Sequence, residues 1–137
     1  EHTILRDSIL PGLLENLSKN IHETYPQKFF ESGIVFSTGS PIKETASLAC
    51  VTASEETHFS EMKAVLQSLL RIGFNTKCET KTLSNHALFS QGRVAEIVVS
   101  GKAVGYIGEL DSKVLENFRI RTKVVAFEIK LSGLIFD

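Results

Sequence analysis

Long uncharged runs are missing from this sequence. No stretch free of Asp, Glu, Lys and Arg exceeds 11 residues (Ser32–Ile42 and Thr82–Gly92), which excludes a membrane-spanning helix. A basic surplus is missing as well. Fifteen Lys+Arg against 16 Asp+Glu give a net charge of −1 and a pI near 6.5, which argues against a dedicated nucleic-acid binder and leaves room only for a local basic patch. The chain starts at Glu1 without an initiator Met, a basic leader or an apolar run, so no signal peptide is expected and a piece of a longer protein is. Cysteine is scarce: Cys50 and Cys78 stand 28 residues apart, with no CxxC and no His at ligand spacing, so no zinc site is expected. Both fall in strand-like segments as small apolar fillers, and two unpaired thiols without a secretory segment point to the cytoplasm. What is present is ordinary for a globular chain. With 137 residues, 42% hydrophobic and 23% charged, it fits one domain, 1–137, able to bury about two-thirds of its unfolded surface.

Periodicity divides the chain into alternating elements. Ser8 as a cap, Pro11 in the opening turn and Asn20 near the end bracket a first helix. Its stripe of Leu10, Leu13, Leu14 and Leu17 follows the i, i+3, i+4, i+7 rule. Asn20–Gln27 reads as a loop, Lys28–Phe36 as a strand interrupted by Gly33, and Ser37–Thr45, with Gly39 and Pro41, as a turn region. Ala46–Ala53 suits a buried strand. A second helix is expected over Ser60–Ile72, with Met62, Val65, Leu66, Leu69 and Leu70 on its apolar face and Gly73 ending it. Phe74–Thr80 alternates as a half-buried strand, and Leu83–Gln91 reads as an irregular polar loop. Val94–Val99 and Ala103–Leu110 flank Ser100-Gly101, a hairpin signal. Asp111 caps a short helix, Ser112–Phe118, and Lys123–Leu131 is a last strand. Locally paired strands with intervening helices give an α+β class, a largely antiparallel sheet flanked by helices.

The sequence offers little catalytic chemistry. The glycines of Ser100-Gly101, Gly105 and Gly108 sit in a hairpin, and no GxGxxG or GxxxxGK[ST] is present, so no nucleotide-binding loop is supported. His58 and His86 lie in loops with no nucleophile elbow nearby, which makes catalysis through either the weakest of the readings. Glu55, Glu56, His58 and Glu61 have ligating atoms, but acids just ahead of a helix more often serve its positive end. The most pointed polar group is Gly92-Arg93-Val94-Ala95-Glu96. Gly92 suits a sharp entry to the hairpin, where a Cβ would not fit, and Arg93 suits a fixed ion pair, within the domain or across to another chain. Arg93 and Glu96 differ in strand parity and so do not pair with each other.

Six segments in order make the chain resemble the catalytic-like module of archaeal-type phenylalanyl-tRNA synthetase beta subunits. They are Leu5-Arg6-Asp7-Ser8-Ile9-Leu10-Pro11-Gly12-Leu13-Leu14, Phe30-Glu31-Ser32-Gly33-Ile34-Val35 and Phe59-Ser60-Glu61-Met62-Lys63. Then come Gly92-Arg93-Val94-Ala95-Glu96-Ile97, Val104-Gly105-Tyr106-Ile107-Gly108-Glu109-Leu110 and Val125-Ala126-Phe127-Glu128-Ile129. Where that family usually carries a His-Pro pair after Gly-Glu-Leu, this chain has Asp111-Ser112; both versions can start a helix, so the departure puts in doubt only a role assigned to that His.

The resemblance implies a class II aminoacyl-tRNA synthetase core without its active site, in a module of a longer beta subunit. It implies a catalytic alpha subunit as partner, ATP and Mg2+ used only in the parent complex, tRNA(Phe) met only through the whole complex, and no cofactor, metal or catalytic residue in this domain. A working class II site needs one arginine on the ATP α-phosphate and another on the γ-phosphate. Here Gly33-Ile34-Val35-Phe36 is followed by Ser37-Thr38, and Ala126-Phe127-Glu128-Ile129-Lys130 keeps an acid but no Arg. Gly92, Arg93, Leu10, Leu13, Leu14 and Leu17 are the candidate structural or interface residues, with the tail Leu134-Ile135-Phe136 as a second apolar candidate. The alternative is a free-standing small-molecule-binding or regulatory domain on the same core.

Overall fold

The computed structural model describes residues 6–20, 26–37 and 41–134. Leu5, Thr38, Gly39, Ile135, Phe136 and residues 21–25 of the expected first loop lie outside the described residues. In chain order the elements are α1 (Leu10–Lys19), β1 (Gln27–Phe36), β2 (Glu44–Ala53), α2 (Phe59–Phe74) and β3 (Glu79–Leu83). β4 (Phe89–Val99), β5 (Lys102–Leu110), α3 (Ser112–Asn117) and β6 (Val124–Lys130) follow, with a 3-10 turn at Leu131–Leu134.

The six strands form one antiparallel sheet in the order β1-β2-β6-β5-β4-β3. β6, last in sequence, is inserted in the middle, between β2 and β5. Its period-two alternation therefore has apolar contacts on both faces. Val124 and Ala126 join α1 and Leu115 of α3 in one core, and Val125, Phe127 and Ile129 join Met62, Leu66 and Leu70 of α2 in the other. The result is a sheet with α1 and α3 on one side and α2 on the other.

Local chemistry accounts for most boundaries. Ser100 (φ 52°) and Gly101 (φ 81°) both take left-handed backbone, the conformation a two-residue hairpin turn demands between right-twisted strands. Asp111 caps α3 by accepting from the Lys113 N–H at 3.0 Å. Gly105 and Gly108 serve the sheet itself. A Cβ on Gly105 would run into the Glu128 carbonyl and the Ile129 Cα of β6, and one on Gly108 would meet the Arg93 carbonyl and the Val94 Cα of β4.

Three expectations are corrected. Gly73 does not end α2; the helix continues to Phe74 and Asn75 takes the left-handed position (φ 51°), its N–H returning to the Arg71 carbonyl at 3.1 Å. Asn tolerates that region because its short polar side chain bonds locally, and nothing forces the stop earlier. The strand expected at Phe74–Thr80 is displaced to Glu79–Leu83, so Phe74 is helical and Cys78 precedes the strand. The expected polar loop Leu83–Gln91 is shorter than expected: it spans Ser84–Leu88, Leu83 ends β3, and β4 already starts at Phe89, with a bulge between Phe89 and Val94.

Candidate functional site

The densest polar constellation is built around Glu128. This residue lies in β6 among Phe127, Ile129 and Ala126, yet its carboxylate is buried beneath the start of α1. Oε1 accepts from the Ser8 hydroxyl at 2.7 Å and from the Leu10 N–H at 3.3 Å. The Ile9 N–H donates to both carboxylate oxygens, at 3.1 and 2.9 Å, and the Ser47 hydroxyl of β2 donates to Oε2 at 2.7 Å. The first turn of α1 has no acidic residue of its own, and its cap residue, Ile9, has no side-chain acceptor. A carboxylate more than a hundred residues away in sequence therefore satisfies the orphan N–H groups and meets the positive end of the helix. Ser8, expected as the cap, stands one residue ahead of the actual cap Ile9 and acts as a relay: it accepts from the Leu10 N–H at 3.3 Å while donating to Glu128.

Beside this cluster a groove of about 410 Å³ opens between the start of α1 and the β4–β5 side of the sheet, with Leu10, His86, Phe89, Tyr106, Glu128 and Lys130 among its walls. His86 stacks edge-on to Phe89 at 5.1 Å and tilts over Tyr106 at 4.4 Å. Its Nδ1 accepts from the Leu88 N–H at 3.2 Å, so the neutral ring carries its proton on Nε2. Burial lowers its pKa below the ordinary imidazole value, and the nearby Glu128 charge opposes that shift. Chemically the groove is poorly equipped. The Glu128 oxygens already receive two hydroxyls and two backbone N–H groups, and Nδ1, the acceptor nitrogen of neutral His86, is held by a backbone amide.

The residues singled out by sequence are placed as follows. Leu10, Leu13, Leu14 and Leu17 are all buried in the core under α1, and Leu134 is buried in the opposite core. Gly92 has φ +78°, with nothing within 4 Å of where a Cβ would stand, so its conformation and not its space calls for glycine. Arg93 Nη1 meets Glu109 Oε1 at 2.9 Å across the β4–β5 pair, with the arginine side chain 65% exposed. Arg93 and Glu96 are not brought together; Glu96 lies opposite Lys81 and Tyr106 in the sheet. His58 stands exposed just before α2, and among the described residues no three of His, Cys, Asp and Glu are grouped to hold a metal. Cys50 is buried and burial pushes its thiol up to about 12, with Lys28 opposing, so it is an inert filler. Sequence reasoning missed Ser47 and the capping role of Glu128. The available signal was an acid set at an inward position of an otherwise apolar strand.

Comparison with known proteins gives a consistent match. Residues 1–131 match the family described as phenylalanyl tRNA synthetase beta chain CLM domain. Among similar curated proteins, the phenylalanine–tRNA ligase beta subunit of Archaeoglobus fulgidus is 46% identical over 137 residues, covering 100% of this chain and 24% of the relative. That of Pyrococcus abyssi is 42% identical over 135 residues (95% and 24%), and that of Methanocella arvoryzae 38% over 139 residues (98% and 25%). The chain spans about a quarter of the length of the curated relatives it matches.

Proposed function

The chain belongs to the phenylalanyl-tRNA synthetase beta chain CLM domain family, and from that premise we propose that it is a non-catalytic structural module of a longer phenylalanine–tRNA ligase beta subunit. Residues 1–137 form one such module, and its antiparallel sheet with flanking helices is a class II synthetase core turned to assembly. It docks a catalytic alpha subunit, which activates phenylalanine with ATP and Mg2+; tRNA(Phe) meets this domain only within the whole complex, in the cytoplasm.

The observation that carries this reading is the saturated Glu128 carboxylate. The acid that this strand keeps is consumed here as the cap of α1. The residues do not fit ATP and Mg2+ either: Ser37 follows β1 and Lys130 ends β6, where phosphate-holding arginines would be needed, and the remaining carboxylate is already held by four donors. Gly92 and Arg93 shape the hairpin rim, with the Arg93–Glu109 pair as a surface clamp.

Phenylalanine-dependent ATP–pyrophosphate exchange tests the reading. The beta chain alone should give background exchange and the chain with its alpha subunit robust exchange, the two co-purifying. Exchange by the beta chain alone, or failure to hold the alpha subunit, overturns it. The groove of about 410 Å³ favours a second reading, a retained small-molecule site, which a phenylalanine-dependent rise in melting temperature would support.

A further inference from the structure

The two edges of the sheet are protected very differently. β3 is five residues long, and its exposed side chains are Glu79, Lys81 and Thr82. Short, charged edges of this kind resist pairing with other strands. β1 is ten residues long and presents Phe30, 52% exposed, and Ile34, 44% exposed, two turns of the pleat apart on one face.

The backbone of β1 sharpens the contrast. The Ser37 N–H bonds to the Lys43 carbonyl across the hairpin, while the Phe36 N–H turns the other way and bonds to the Arg6 carbonyl at 2.8 Å. By alternation, odd-numbered residues of β1 face β2, and Lys28, Phe30 and Ser32 turn their N–H and C=O groups outward. No described residue bonds to those outward groups. At the far end the edge is already occupied: besides the Phe36 bond, Arg6 Nε donates to the Ile34 carbonyl at 3.1 Å. Arg6, the first of the described residues, thus lies along this edge.

We propose that an extended segment from the upstream part of the longer beta chain adds a seventh strand to the sheet along Lys28–Ser32, its apolar side chains covering Phe30 and Ile34. The inference rests on the reading of this domain as part of a longer beta chain; the relatives, about four times its length, have ample chain to supply the strand. The position of Arg6 tethers upstream polypeptide beside the open edge, where a linked strand binds at high effective concentration.

Amide exchange in the full-length beta chain, free of alpha subunit, tests it. The Phe30 and Ser32 amides should exchange about 100-fold or more slowly than unstructured amides, independent of protein concentration. Ser32→Pro removes one outward N–H without touching the inner ladder, so the Phe30 amide should become fast while Phe29 and Glu31 stay slow. Fast Phe30 and Ser32 exchange in the unsubstituted chain overturns the proposal. So does protection that appears only with the alpha subunit, or protection that grows with concentration, the mark of a second copy. Fast exchange in a chain that still binds the alpha subunit removes the edge proposal alone. Slow exchange in a chain that does not bind it removes the assembly reading alone.

Discussion

Glu128 decides more of this structure than any other polar residue. Three buried or half-buried donors at and just ahead of the start of α1, from Ser8, Ile9 and Leu10, and a hydroxyl from β2 converge on one carboxylate, so its removal orphans several groups at once. Glu128→Ala should cost on the order of 2–4 kcal/mol in urea unfolding, each unsatisfied buried donor adding its desolvation penalty. Glu128→Gln should recover little, because half of the amide donates where an acceptor is needed. A loss below about 0.5 kcal/mol for the alanine variant would show that water substitutes for the carboxylate. His86 carries the pH response of the groove. Its folded pKa lies below the ordinary 6.5, so the unfolded chain binds its proton first as the pH falls. Its contribution is fully present above pH 6.5 and is lost as the pH drops from there through the lowered folded value. His86→Phe should flatten that part of the stability profile in denaturant melts from pH 7.5 to 5. An unchanged slope would place the titration elsewhere.

At the level of elements, the legible parts were those governed by neighbours in sequence. The leucine spacing gave α1, the Ser100-Gly101 pair gave the β4–β5 hairpin, and Asp111 gave α3, because each is fixed by backbone conformations or caps within four residues. The end of α2 and the start of β3 were misplaced because a left-handed Asn75 does the work a nearby Gly73 advertises. The central place of β6, the capping by Glu128 and the demand for glycine at 105 and 108 arise from contacts between distant segments, which spacing does not encode. The two kinds of glycine separate in one experiment. Gly105→Ala would drive a methyl into the Glu128 carbonyl and should destabilise by at least about 2 kcal/mol, as overpacking against rigid backbone does. Gly12→Ala, within α1 and with nothing inside 4 Å of the new methyl, should stabilise by about 0.5–1 kcal/mol through helix propensity. Equal effects in thermal melts would mean that β5 and β6 separate easily.

For the whole molecule, the decisive fact is that the two cores share one sheet. α1 and α2 touch opposite faces, and β6 feeds both: Val124 and Ala126 to one side, Val125, Phe127 and Ile129 to the other. Losing either core strips one face of β6, and a central strand buried on one side only cannot hold its neighbours β2 and β5 in register. The domain should therefore unfold in one step although its cores do not touch through the sheet. Leu13→Ala empties the α1 side and Leu66→Ala the α2 side, both at fully buried positions, and each should cost about 2–5 kcal/mol. The test is coincidence. In either variant, far-ultraviolet dichroism and the rate of Cys50 alkylation, which reports opening of the α2 side alone, should give the same midpoint. If Leu13→Ala lowers the dichroism midpoint and leaves Cys50 protected beyond it, the two cores melt separately, and the sheet couples them less than the placement of β6 requires.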